Sequence, residues 1–398
     1  MSTVPMPFEH LDTPQCPRIL VVIGTRPEAI KLAPVIHALQ ANGTLDVRVW
    51  LTGQHRELLE HGLAAFDLQA DANLDVMCEG QDLSELTSRI LAGLARAIQE
   101  VQPAWLVVQG DTTTAMAAAL AGFQCRVPVA HVEAGLRSGA VDLPWPEEMN
   151  RRLISTLASL HFPPTKLAEQ NLLKEGVEPA TIVRTGNTVI DALDLACRRL
   201  DADPAAADDV HALLEAAAGR HLVVVTVHRR ETLGLRLAGI GRAILSLAER
   251  SDTMVVFPAH LHPKVRALAA DLSGRAPGLN VVAPLAYLPF VALMRRASLI
   301  LTDSGGIQEE ATALGIPTLV LRDRTERPEA IAGGTARLVG TDGDAILKAS
   351  NHLLDDAAAR ILMAHPDSAF GDGRASERIV EALVTRIAAG AAFQPLGG

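Results

Sequence analysis

Positive charge is scarce in this sequence. Asp and Glu number 46 against 36 Lys and Arg, leaving a net charge of -10. That balance excludes nucleic acid and an anionic membrane surface as main partners. A small anionic ligand stays open, because it responds only to the charges around it. Cysteine is scarce as well. Cys16, Cys78, Cys125 and Cys197 stand apart, with no redox or metal-ligand spacing, which fits a reducing cytoplasmic setting. No His or Cys pair has zinc spacing, and His131-Val132-Glu133 is no such site, so neither a metal nor a bound cofactor is expected. No apolar run reaches the ~18 residues of a membrane span. Met1 to Pro17 lack a basic region followed by an apolar run and read as a polar extension, not a signal peptide. There is no GxGxxG fingerprint and no Walker motif.

What is present is a rhythm. Short apolar, β-branched runs end in small or polar residues, and a helical stretch usually follows. The runs are Arg18-Ile23, Val47-Leu51, Trp105-Val108, Val127-His131 and Thr181-Val183, then Leu222-Val227, Met254-Phe257, Asn280-Val282, Leu299-Thr302 and Pro317-Leu321. Such alternation implies parallel sheets covered on both faces, an α/β fold. In a helix at about 3.6 residues per turn, Leu83, Leu86, Ile90, Leu94, Ala97, Ile98 and Val101 share a face, and Asp82 with Glu85 resembles a capping box. Asp201-Asp209, rich in Ala, Asp and Pro, reads as an exposed loop. The pattern suggests two domains, residues 18–186 and 187–374, with a last helix near 375–389 that belongs to either half.

In open parallel sheets, ligands bind beyond the carboxyl ends of the strands, where this chain keeps its unusual polar residues. Thr302-Asp303-Ser304-Gly305-Gly306 precedes a helix, so its amides and the helix dipole suit a phosphate. Glu310 lies in the first turns of that helix, placed to accept from ribose hydroxyls. The plainer reading is a helix start capped by Asp303 or Ser304. Arg26 and Lys31, in Gly24-Thr25-Arg26-Pro27-Glu28-Ala29-Ile30-Lys31, suit a diphosphate or a developing anion, against a reading as surface charge. Asp111 and Glu133 end consecutive strands, and Glu147 and Glu148 open a helix with Arg151 and Arg152 four residues on. Crowded carboxylates suit acid–base chemistry, while a helix start stabilises Glu147 and Glu148 in any case. His228, before Arg229 and Arg230, suits phosphate binding or proton transfer, or a structural role.

Together the segments 24–31, 52–56, 110–114, 131–137, 146–151, 185–191, 225–231, 303–310 and 322–329 resemble, in family order, the non-hydrolysing UDP-N-acetylglucosamine 2-epimerases. The resemblance implies two Rossmann-like doubly wound domains facing a cleft, as in GT-B glycosyltransferases. It implies a cytoplasmic homodimer that interconverts UDP-GlcNAc and UDP-ManNAc for cell-surface polysaccharide. The family reaction removes the C2 proton, eliminates UDP to give 2-acetamidoglucal, and re-adds UDP after protonation on the other face. By motif, Asp111, Glu133 and Glu147 match the catalytic carboxylates, with base and acid unassigned, and His228 the essential histidine. Arg26, Lys31, Gln54, Gln81, Ser304, Gly305, Gly306, Glu310 and Arg327 match UDP-sugar contacts. Phe290 resembles a residue lining the uracil site, with core packing as its alternative. His262-Pro263-Lys264, Ala286 and Gly80-Gln81 depart from the family pattern, which bears on regulation and the exact sugar. The competing readings are a GT-B UDP-sugar glycosyltransferase, a hydrolysing relative, a nucleotide-sugar-binding regulator without activity and an epimerase of a more decorated sugar.

Overall fold

The structure, a computed structural model, describes residues 16–53, 59, 62–78, 80–229, 232 and 236–390. It contains two six-stranded sheets, and every paired strand is parallel. The first comprises β1 (Arg18–Ile23), β2 (Asp46–Leu51), β3 (Ala72–Asn73), β4 (Trp105–Gln109), β5 (Val129–Val132) and β6 (Leu160–Phe162). The second comprises β7 (His221–Thr226), β8 (Thr253–Pro258), β9 (Leu279–Val282), β10 (Leu299–Thr302), β11 (Thr318–Val320) and β12 (Ala336–Leu338). Their orders are β3-β2-β1-β4-β5-β6 and β12-β11-β10-β7-β8-β9. Each is doubly wound, and each reverses once, between β1 and β4 in the first and between β7 and β10 in the second. A crevice opens at such a switch point because the flanking connections leave on opposite faces.

Both faces of the sheets are covered, which explains the unbroken apolar runs. Ile19 to Ile23 and Leu222 to Val225 are almost fully buried. Ala117, Ala118, Ala119 and Ala121 are inaccessible, so the helix Thr113–Gln124 lies close on its sheet. One apolar core runs through both halves, joining β1 residues to Val224 and Ile300. The helices Thr188–Ala202 and Ala375–Ala388 contribute Leu193, Ala196, Ile379 and Leu383 to it. The last helix packs against Arg26–Ala41 of the first half. Among the described residues, no helix is long and apolar enough to cross a membrane.

Two expectations fail locally. Thr181-Val183 is no strand: Pro179–Thr181 is a 3-10 turn, and Ile182 makes only an isolated bridge to His161. Pro179 fixes φ where such a turn begins and carries no N–H for a ladder. Asp201-Asp209 is mostly exposed but is not an irregular loop: Pro204–Ala207 forms a 3-10 turn that leads into the helix Asp208–Ala216. Asp208 and Asp209 sit where the helix dipole favours them, and buried Ala207 and Val210 anchor the segment to the core.

The Glu133–Gly135 turn is tightly built. Gly135 has φ 84°, and a Cβ there would stand 2.2 Å from Ala168 O. Gly43 has φ 71° with nothing near a Cβ. Gly43→Ala should therefore cost about 1–2 kcal/mol, from backbone strain alone. Gly135→Ala should cost roughly 2–5 kcal/mol, because a clash adds to the strain. Urea unfolding of the two variants checks this difference.

Candidate functional site

Several candidate polar groups follow the strands that flank the two switch points, while Glu133 follows β5. Gly24-Thr25-Arg26 leaves β1 and Asp111 follows β4, while His228 follows β7 and Asp303-Ser304 follows β10. In the second half, Asp303 does not cap its own helix. It is fully buried, and its carboxylate accepts the N–H groups of His228 at 3.1 Å and Arg229 at 2.9 Å. His228 Nδ1 lies 3.2 Å from the same carboxylate. Ser304 is the N-cap residue and makes no side-chain cap bond. The capping reading is thus replaced: Asp303 ties the β7 and β10 loops together. The first-turn amides of Gly305–Leu314 have no intrahelical acceptor, the usual condition for anion binding. Gly306 faces open space, and a Cβ on Gly305 would stand 3.0 Å from Arg327 Cζ.

Between the halves lies a buried cluster of charge. Lys31 Nζ is 2.6 Å from Glu133 Oε1 and 3.8 Å from Glu309 Oε2. Arg327 donates through Nε to Glu309 at 2.8 Å and approaches Glu133 Oε1 at 3.4 Å and Glu326 at 3.0 Å. Arg322 and Arg229 reach Glu326 at 2.7 and 3.4 Å. Burial opposes charge on Glu326, yet Arg327, Arg229 and Arg322 hold its carboxyl well below the usual range. Burial likewise opposes charge on Glu133, and Lys31 with Arg327 outweighs it, so Glu133 stays ionised. On Glu309, burial dominates and raises the pKa. Glu133 also accepts from Asn187 Nδ2 at 3.1 Å and from Gln109 Nε2.

The remaining carboxylates differ in setting. Asp111 is partly exposed and pairs with Arg151 Nη2 at 2.5 Å. Arg151 and Arg152 both turn to buried Glu148, at 3.0 and 3.5 Å. The pairing anticipated along this helix is therefore taken by Glu148. A buried oxygen of Glu147 has no hydrogen-bond partner among the described residues. His131 Nε2 lies 2.7 Å from Gly110 O, and since a carbonyl only accepts, Nε2 carries the proton. Burial brings that imidazole down to about 4, so it is neutral.

Some expected contacts are engaged elsewhere. Arg26 donates to Leu285 O at 2.8 Å, across to the second half. Burial lowers its pKa, against the pull of Glu310. Glu310 accepts from Tyr287 OH at 2.7 Å, and burial raises its pKa to about 7. Phe290 packs against the shared core, in line with its alternative role. Gln81 bonds locally, accepting from Cys78 N–H and donating to Met77 Sδ. Gln54 and Arg230 lie outside the described residues.

Several site groups escaped the sequence reading. Glu28 accepts from Gly24 N–H at 2.9 Å, Thr25 N–H at 2.5 Å and Thr112 Oγ1 at 2.6 Å, which ties the β1 loop to the β4 loop. Burial raises its pKa to about 7. Glu309, Glu326, Gln109 and Asn187 are the others, and Arg151, placed near Glu147 by its spacing, pairs instead with Asp111 and Glu148. Tyr287 had a signal, being the single tyrosine of the chain. Among the described residues, no cluster of His, Cys, Asp or Glu could hold a metal ion.

The family model described as UDP-N-acetylglucosamine 2-epimerase matches residues 37–384. A probable UDP-N-acetylglucosamine 2-epimerase of Ralstonia solanacearum is 48% identical over 92% of this chain and 98% of its own length. The crystal structure of the UDP-GlcNAc 2-epimerase of Neisseria meningitidis, bound to UDP-GlcNAc, superposes with a TM-score of 0.89 at 43% identity, over 92% of this chain and 100% of that one. A glycosyltransferase of Streptomyces nogalater shares the fold alone, with a TM-score of 0.54 at 18% identity over 94% of this chain and 99% of that one. With the carboxylates and cations of two switch points brought together around one cleft, the chain belongs to the UDP-N-acetylglucosamine 2-epimerase family.

Proposed function

We propose that this protein interconverts UDP-GlcNAc and UDP-ManNAc by inversion at C2. The observation that carries the reading is the buried approach of Arg327, from the second half, to Glu133 of the first half, beside Lys31. A base takes the C2 proton, and the electron pair left behind forms the C1–C2 double bond as the bond from C1 to UDP oxygen breaks. 2-Acetamidoglucal and UDP result. A proton is then added to C2 from the opposite face, and UDP oxygen attacks C1. Inversion therefore needs proton-handling groups on both faces of the ring, which one carboxylate cannot supply.

Asp111, Glu133 and Glu147 are the proposed catalytic carboxylates. The Ser304, Gly305 and Gly306 turn, His228, Lys31 and Arg327 hold the diphosphate of UDP, whose leaving charge they offset. Arg26 is a further proposed diphosphate contact, and ionised Glu310 accepts from ribose. Gln54, Gln81 and Phe290 complete the proposed binding set on motif alone. No metal or cofactor enters the scheme.

The same reading divides the chain at residues 186 and 187, with the last helix returning to the first domain. It makes the protein a cytoplasmic homodimer serving cell-surface polysaccharide. Unpaired cysteines support the compartment. Exposed Leu143, Trp145, Met149 and Leu153, on and before the helix Glu147–Leu157, offer an apolar face for a second copy.

Incubation with UDP-GlcNAc in D₂O, followed by NMR, tests the reaction. Deuterium at C2 together with UDP-ManNAc is the expected result, and no exchange at C2 overturns the assignment. A glycosyltransferase would keep the C2 hydrogen. Asp111→Asn should lower kcat by about 10²- to 10⁴-fold while UDP affinity stays within about tenfold; equal loss of both would make Asp111 structural. For Glu310 the sign follows from its raised pKa. The acceptor form fills as pH rises through about 7. Relative to Glu310→Gln, wild-type UDP affinity should rise about tenfold between roughly pH 6 and pH 8 by isothermal titration.

A further inference from the structure

The chain passes between its halves twice, near residues 184–190 and again near 370–376, and Asn187 bonds to both crossings. Its backbone N–H donates to Phe370 O at 2.6 Å. Its Oδ1 accepts from Val189 N–H at 3.1 Å and starts the helix Thr188–Ala202. Its Nδ2 donates to Glu133 Oε1 at 3.1 Å. The crossings are also fastened beside it. A Cβ on Gly186 would stand 3.2 Å from Gly371 Cα, and Asp191 accepts from Ala375 N–H at 3.2 Å and Ser376 N–H at 2.7 Å. Asn187 itself is buried, so its amide has little freedom to turn elsewhere.

We propose that Asn187 is a positioning residue for Glu133, a neutral donor rooted where the halves join that sets the orientation of the reacting carboxylate. The proposal rests on the epimerase reading above. Glu133 is charged and surrounded by Lys31 from the first half, Arg327 and Glu309 from the second, and neutral His131. Cations attract a carboxylate from many directions. An amide N–H acts along one line, so Asn187 Nδ2 on Oε1, with Gln109 Nε2 on Oε2, selects an orientation among those the cations allow. Glu133 also has φ 65°, a left-handed backbone that a residue other than glycine keeps only when its surroundings over-determine it. Asn187 is one of those surroundings, and it is the one attached to both crossings. Through it, the angle between the halves is felt directly at Glu133.

Asn187→Ser isolates this role. Serine keeps an N-cap acceptor and the backbone N–H to Phe370, yet is too short to reach Glu133. The variant should lose about 10- to 100-fold in kcat, while KM and UDP affinity stay within about threefold. The acid limb of its kcat profile should move to higher pH, because Glu133 has lost a donor to its ionised form. An unmoved acid limb, or UDP affinity lost in parallel with kcat, overturns the proposal. If the serine variant does not fold, Asn187→Asp keeps the cap and the size, and its second carboxylate should move the limb further in the same direction. Carbon-13 NMR titration of the Glu133 carboxyl, assigned against Glu133→Gln, gives a readout that needs no turnover. That titration should move upward in Asn187→Ser even if the chain proved not to epimerise UDP-GlcNAc, and an unmoved titration overturns the proposal.

Discussion

The contact on which the molecule depends most is the buried approach of Arg327 to Glu133, with Lys31 on one flank and Glu309 on the other. These groups come from opposite halves. Burying an ion costs several kcal/mol before its partners act, so removing one partner of such a set costs about 3–5 kcal/mol. Under the proposed reaction, the same charges that join the halves offset the charge of the departing diphosphate. Fold and chemistry thus share one set of side chains, which explains why ions are kept where apolar groups would pack at lower cost.

The sheets place this cluster through their topology. Two doubly wound sheets each reverse their strand order once; Lys31 and Glu309 lie on the helices after β1 and β10 at those reversals, while Glu133 and Arg327 follow the neighbouring strands β5 and β11. Further carboxylates brace the loops from behind. Asp303 ties the β7 loop to β10, and Glu28 ties the β1 loop to β4. Each uses a buried carboxylate to collect backbone N–H groups at the sharp loop starts. The Ser304-Gly305-Gly306 turn therefore keeps its own amides, since the Asp303 carboxylate takes the N–H groups of His228 and Arg229 instead.

Much of the fold was legible because fully covered parallel strands read as short apolar runs. Short edge strands such as β12 and β6 were missed, being only three residues long. Thr181-Val183 was misread because its composition suits a strand, while its pairing partner offers only one bridge. Asp111 and Glu133 drew notice by their positions at strand ends and Arg327 by the family resemblance, and the structure brings Glu133 and Arg327 to 3.4 Å. Which charge pairs with which was not legible. Arg151 takes Asp111 and Glu148 instead of Glu147, a choice set by how the β4 loop meets its helix, and Arg26 crosses to Leu285 O, a choice set by how the halves meet. Asn187 and Glu309 lie in segments that carry the family resemblance but were not singled out, because their partners are distant in sequence.

If the halves are joined by this ion cluster, Glu133 and Arg327 must be energetically coupled. A double-mutant cycle with Glu133→Gln, Arg327→Met and the double variant, read from urea unfolding, measures that coupling. The account requires an interaction of about 1–3 kcal/mol, with the double variant far less impaired than the two single changes added together. Additivity within about 0.5 kcal/mol would mean that the two side chains merely lie close, and would contradict it.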